Sequence, residues 1–354
     1  MIDNDKVLIK KMRDSEANIE PNLREALDVL HFEVNDRDNI VIKPNLCDFR
    51  PAWEGGTTDP RIVEAFIKII REKANPKITI VESDHAVATA DEEFERMGYK
   101  EMAERLGVEL VNLSKDKRYE VVLEGHYFET LNTTETLLGA TKIISIAKLK
   151  THIQQKITCN MKNLFGLLPE KYKAKYHPFM SEVLVDLAEY YRPFCIIDGI
   201  VGMEGPGPSD GYKKEAGMII VGNNPVATDA VAARIMGFDP ERVPNLRYAE
   251  KKGLGTTKPE VIGNIAEGKF EFIPVYSYLS YRFALFLNKC SFRVNRYFEG
   301  VSKFISLAGG GLMIFARGYY NSSEFGTLFK KDGFRYVRGL IIRLKVLFIL
   351  RLKT

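Results

Sequence analysis

Four cysteines, Cys47, Cys159, Cys195 and Cys290, are all that a chain of 354 residues offers. None falls in a CxxC pair, so a disulfide framework, a zinc ribbon and a ferredoxin-type cluster segment all fall outside the expectation, and reduced, partly buried thiols are the default. The N-terminal stretch MIDNDKVLIKKM carries acids early and has no apolar h-region, which removes a secretory signal and predicts a cytoplasmic protein. A Walker A loop, a GxGxxG opening a helix, HExxH and GxSxG are also missing, and with them go the commoner nucleotide, zinc-protease and serine-hydrolase chemistries. No internal repeat and no low-complexity linker interrupts the chain.

What is present is a composition of 45% apolar residues, enough to bury a full core and to exclude disorder. The net charge of +4 is unevenly spread. Residues 330–354 hold eight basic residues and a single acid, Asp332, so the rest of the chain is slightly acidic. That balance argues against nucleic-acid binding and leaves an anionic membrane surface or an acidic partner for the tail. Within it, Leu340, Ile342, Leu344, Val346, Phe348, Leu350 and Leu352 share the even positions while Arg343, Lys345, Arg351 and Lys353 are all odd, which is strand periodicity, with an interfacial helix as the alternative. The apolar stretch is too short and too interrupted for a bilayer span, which needs ~20 residues. It either completes the protein's own core or a dimer, or makes peripheral contact with a membrane.

Short β-branched runs at Asn39–Lys43, Lys77–Val81, Val108–Asn112, Lys142–Ile146, Phe194–Asp198 and Met218–Gly222 read as buried strands. Helical patterns lie between them, the clearest opening with Asp59 as N-cap and Pro60 at the first helical position, with others at Ser181–Tyr191 and Pro225–Met236. The expected fold is α/β, a mainly parallel sheet flanked by helices, two-lobed, with a C-terminal aromatic and basic extension. The boundary is placed near 270: residues 1–270 as the main domain with an interlobe cleft, 271–354 as the extension.

Ligands in such folds bind beyond the carboxyl ends of the strands, and the unusual motifs sit at those exits. Lys43-Pro44-Asn45 holds a lysine and an amide at one strand mouth. Lys148, Lys150 and His152 occupy alternate positions after another, so extended backbone projects all three from one face. Lys162 and Asn163 stand among apolar residues in Met161-Lys-Asn-Leu-Phe-Gly166, a setting that demands a partner or a ligand. Asp198-Gly-Ile-Val-Gly-Met-Glu204-Gly-Pro-Gly-Pro208 follows a third strand, and Gly205 and Gly207 would let backbone amides cradle an oxyanion beside Glu204. Each motif alone has a plain reading as a solvated lysine or a tight turn. Asp229 either stabilises its own helix or holds Lys150 or His152, and His85 either reaches the site or caps a loop. Cys47 or Cys159 near the mouth reads as a buried thiol before a thiolate.

Taken together, Lys43-Pro44-Asn45, Lys148-Leu-Lys-Thr-His152, Met161-Lys162-Asn163 with Gly166, Asp198-Gly199, Met203-Glu204-Gly205 with Gly207-Pro208, Pro225-Val-Ala-Thr-Asp229 and Met236-Gly237 resemble the family catalogued as domain of unknown function 362. Many of its members carry a ferredoxin-type segment; this chain has none, so no iron–sulfur cluster is expected and the cofactor stays unknown. A much looser similarity of plan to the lactate racemase family adds acid–base chemistry on a small carboxylate to the readings worth naming. The expected protein is an enzyme acting on a small anionic substrate by acid–base or redox chemistry. Lys150, His152 and Glu204 are its catalytic candidates, Lys43, Asn45, Lys148, Lys162, Asn163, Gly205 and Gly207 its ligand-binding candidates, and Asp198 and Asp229 support them. No metal-ligand spacing is found. The alternatives are an accessory protein to a separate iron–sulfur redox partner and a membrane-surface protein.

Overall fold

The computed structural model describes residues 5–263, apart from 13–17, 48, 86–87, 153–154, 206 and 210. The expected boundary near 270, the 271–354 extension with its alternating tail, and Cys290 lie outside the described residues. In chain order the elements are β1 (Lys6–Lys11), α1 (Ile19–Val29), β2 (Asn39–Pro44), α2 (Pro60–Lys73), β3 (Lys77–Glu82), α3 (Ala90–Arg96), α4 (Tyr99–Leu106), β4 (Glu109–Asn112), β5 (Arg118–Val122) and β6 (Thr130–Thr134). They continue with α5 (Glu135–Leu138), β7 (Lys142–His152), β8 (Lys156–Ile157), α6 (Cys159–Asn163), α7 (Met180–Tyr191), β9 (Phe194–Glu204), β10 (Tyr212–Gly222), α8 (Pro225–Ile235), α9 (Pro244–Lys251) and β11 (Glu260–Ile262).

The central sheet runs β11-β1-β10-β9-β7-β2-β3-β4, with β8 folded back on β7. From β9 to β4 every neighbour is parallel, while β10 pairs antiparallel with both β9 and β1. A mainly parallel α/β sheet is thus what the strand-helix alternation builds. Its strands carry apolar residues on both faces, because helices cover both. Val7, Val41, Ala147, Leu149 and Ile197 enter one core with α6 to α9, whereas Leu8, Ile40, Ile42, Ile144, Ile146 and Ile196 enter the other with α1 and α2.

Two expected helix starts take the form that their residues dictate. The Asp59 carboxylate accepts from the Arg61 N–H at 3.0 Å ahead of Pro60, and the Asn224 side chain accepts from Val226 and Ala227 ahead of Pro225. Two expected loops are instead strand. The run 147–152 continues β7 as far as His152, because β8 supplies a partner, and 198–204 continues β9, because β10 pairs with it out to Tyr212 opposite Glu204. The motifs therefore stand on rigid backbone that outruns the rest of the sheet.

The chain leaves β2 toward β3 and β4 on one side, then returns at β7 and builds toward β9 on the other. The carboxyl ends of β2 and β7 are adjacent, with Pro44 level with Ile146, and their connections diverge. This is the topological switch point, where an open α/β sheet leaves a crevice.

Candidate functional site

Lys43, Asn45 and Cys47 lie at the end of β2, Lys148, Lys150 and His152 at the end of β7 beside it, and Lys162 and Asn163 on the short α6 above. Lys148 and Lys150 follow Ile144 and Ile146 onto one face of the sheet, as their alternation predicts, while Lys43 follows Val41 onto the other. Lys43, Lys148 and Lys150 are all almost completely buried, a setting in which an ammonium must be paired or must perturb its surroundings.

Two of these lysines are paired. Lys43 Nζ lies 2.6 Å from Glu82 Oε2 and also donates to the Pro44 carbonyl. Lys148 Nζ lies 2.7 Å from Asp198 Oδ2 and donates to the Ala52 carbonyl. Asp198 also accepts from the Asp59 and Ile200 backbone N–H groups, and burial pushes its carboxyl up against the opposing pull of Lys148. Gly166 packs over the first pair, where a Cβ would come within 2.5 Å of Lys43 Cε and 2.7 Å of Glu82 Oε1. Lys43 and Lys148 are expected to receive an anion, and in the structure both are paired. Each already has its own carboxylate, and they form the floor of the site.

The remaining cations have no carboxylate salt bridge among the described residues. Lys150 donates to the Gly56 carbonyl at 2.7 Å and to Cys47 Sγ at 3.4 Å. The Lys162 ammonium lies 4.2 Å from the centroid of the Phe165 ring. Burial lowers it to about 8, and Lys173, Lys150 and Lys43 act in the same direction against Cys47. Lys173 donates to Ser83 Oγ and the Asp84 carbonyl, and burial likewise lowers it to about 8. Burial holds His152 well below the usual histidine range, helped by Lys162, His177 and Lys150, and brings His177 down to about 4. The His152 Nδ1 accepts from the Gln155 N–H at 3.2 Å, which leaves Nε2 to carry the ring hydrogen in the neutral tautomer. A neutral histidine thus stands within electrostatic reach of two amines, Lys162 and Lys150, the first of which changes charge close to neutral pH.

The asparagines tie the exits together. Asn45 Nδ2 donates to Asn163 Oδ1 at 3.2 Å, and Asn163 Nδ2 donates to the Lys43 carbonyl and to Ser145 Oγ. Asp229 takes neither of its expected roles. It accepts from the Asn160 N–H, the Asn160 amide and the Met161 N–H, and so fixes the start of α6, the element that carries Lys162 and Asn163. It does not hold Lys150 or His152. With no cation beside it among the described residues, burial raises its carboxyl to about 7. Lys156 and Cys159, on either side of β8's end, both have positive φ, of 66° and 39°, a conformation that costs a non-glycine residue about 1 kcal/mol and that the β7–β8 hairpin and the Asp229 anchor hold in place.

Glu204 stands apart. It pairs with Lys214 across the β9–β10 hairpin at 3.2 Å, and among the described residues no contact joins it to Lys150 or His152. The Gly205–Gly207 loop is engaged with its own backbone and with β7. Its Gly207 N–H donates to the Gly205 carbonyl, which accepts from Thr151 Oγ1 as well. A Cβ on Gly207 would lie 2.2 Å from the Thr151 carbonyl, so this glycine permits close packing on β7 rather than offering a free amide to an oxyanion. His85 does cap its loop, with Nε2 2.8 Å from Glu93 Oε1, yet the charges of Glu82, Lys173 and Lys43 all reach it. Cys159 is fully buried, as expected of a plain thiol, but Cys47 is exposed.

Sequence reasoning missed Lys173, which a lysine-rich segment disguises as solvated surface, and missed Glu82 and Ser83, which close a strand without any motif. Among the described residues no three histidine, cysteine or acidic side chains are placed to hold a metal ion, and no helix is long and apolar enough to cross a membrane. The family model described as Domain of unknown function (DUF362) matches residues 40–234, the span that holds every strand of the switch point. A thylakoid-associated protein of Synechocystis sp. is 30% identical over 236 residues, covering 64% of this chain and 72% of that protein.

Proposed function

We propose, for a chain that belongs to the family called domain of unknown function 362, that the switch-point crevice binds a small carboxylate or phosphate and moves a proton on it. One observation carries the reading: Lys150, Lys162 and Lys173 gather where the sheet opens, and among the described residues no carboxylate neutralises any of them by a salt bridge. An anion entering there gains three cations whose partners are only carbonyls, hydroxyls, a thiol and a ring face. Lys150 is the anion's anchor. Lys162, lowered to about 8, exists as both ammonium and amine in the neutral to mildly alkaline range and is the group that gives and takes the proton. Neutral His152 walls the crevice without adding charge to it. Asn45 and Asn163 hold the β2 and α6 exits in register, so that these groups meet.

Calorimetric titration with inorganic phosphate and with acetate tests the reading. The wild-type protein is expected to bind at least one of these anions, and Lys162→Met to bind it roughly tenfold more weakly with an unfolding midpoint no lower than that of the wild type. Equal affinity in both proteins, or no binding of either anion by the wild type, refutes it.

A second reading concerns place rather than chemistry. The basic 330–354 tail and a relative described as thylakoid-associated together favour peripheral contact with an anionic membrane. In flotation with vesicles containing phosphatidylserine, full-length protein is expected to rise and a 1–329 truncation to stay behind. Equal behaviour of the two defeats the idea.

A further inference from the structure

Cys47 is the exposed member of the three described cysteines; Cys159 and Cys195 are buried, and burial raises both of their thiols. Its sulfur lies on the crevice side of the β2 exit, 3.4 Å from Lys150 Nζ and 3.6 Å from Asn45 Oδ1. Lys162 stands within electrostatic reach of it and has no hydrogen-bond partner among the described residues. A sulfur nucleophile needs three things: exposure, adjacent positive charge, and a group to carry its proton. Exposure is met at Cys47 itself, the charge by fully buried Lys150, and the proton carrier by Lys162.

We propose that Cys47 is a catalytic nucleophile of this crevice, adding reversibly to the carbonyl carbon of a small α-oxo acid whose carboxylate is held by Lys150 and Lys173. The inference rests on the anion-binding reading given above. In the step, the Lys162 amine takes the thiol proton, Sγ bonds to the carbonyl carbon, the C=O π pair moves onto oxygen, and Lys162 returns the proton to that oxygen. S–H and C=O become C–S and O–H; nothing is oxidised or reduced, and no co-reactant is consumed. The tetrahedral adduct places the oxygen among the amines and the His152 ring, where developing charge is stabilised.

Alkylation of the full-length protein by iodoacetate and by iodoacetamide, followed by intact mass and peptide mapping, tests this. The anionic reagent reports recognition of a carboxylate, the neutral one reactivity alone, and glutathione is the reference thiol. Cys47 is expected to take a single adduct, with an iodoacetate-to-iodoacetamide rate ratio about tenfold above that of glutathione. Lys162→Met brings the ratio toward that of glutathione, Cys47→Ser removes the adduct, and millimolar glyoxylate, a small α-oxo acid, slows iodoacetate. Labelling elsewhere, a ratio equal to that of glutathione, or no protection by glyoxylate overturns the proposal. Phosphate titration of the unmodified wild type separates the two readings: if phosphate binds while alkylation fails, only the nucleophile falls.

Discussion

The crevice holds two kinds of buried lysine within a few residues of each other. Lys43 and Lys148 each sit against a private carboxylate, Glu82 and Asp198, drawn from the neighbouring strand of the sheet. Lys150, two positions beyond Lys148 on the same strand, has a carbonyl and a thiol instead, and Lys162 has a ring face. The first kind already has its charge neutralised and gains little from an anionic ligand. The second gains from a ligand at once. An identical side chain thus serves as floor or as receptor according to whether a carboxylate stands opposite, and that is settled by strand pairing rather than by local sequence.

The contrast can be broken by removing a floor carboxylate. Asp198→Asn leaves the Lys148 ammonium buried with no counter-charge, and a loss of about 3–5 kcal/mol in urea denaturation is expected, against less than about 1 kcal/mol for Lys162→Met. Similar losses in the two variants would mean that the two classes are one.

A smaller effect sharpens it. Burial lowers Lys162 and Lys173 to about 8 from 10.5, so between those values the unfolded chain binds more protons than the folded one, and stability rises with pH across that window. Tyr99 and Tyr191, raised by burial, act in the opposite sense near the upper end, but equally in any lysine variant. Denaturation midpoints at two pH values within the window are expected to rise by on the order of 1 kcal/mol per lysine in the wild type. Lys162→Met/Lys173→Met should lack that component, and an unchanged rise in the double variant would remove these lysines from the receptor row.

Much of this arrangement is legible in the residues themselves. The strands at Asn39, Lys77, Lys142 and Phe194, the Asp59-Pro60 helix start and the common face of Lys148 and Lys150 all follow from local pattern. What local pattern cannot supply is partnership at a distance. Glu82 reaches Lys43 across 39 residues and Asp198 reaches Lys148 across 50, so no window along the chain tells which lysine is neutralised. Lys173 is buried only because its segment packs over Ser83, and composition alone assigns it to solvent, while His177, exposed, stacks on the Phe165 ring. β7 and β9 overrun their apolar runs because β8 and β10 continue the hydrogen-bond ladder beyond the core. The strands β1 and β11 and the helices α3 and α4 lack the sustained periodicity by which the longer elements announce themselves.

The β2–β7 seam also governs when the crevice comes into being. Ile40 sits level with Lys142, so every residue between them must be synthesised before β7 can pair with β2. Contacts of such sequence separation form slowly, since the intervening loop must lose its freedom first. A nascent or half-folded chain therefore displays neither lysine row, and the crevice is a late product of assembly, open to a ligand only once the sheet has been completed around it.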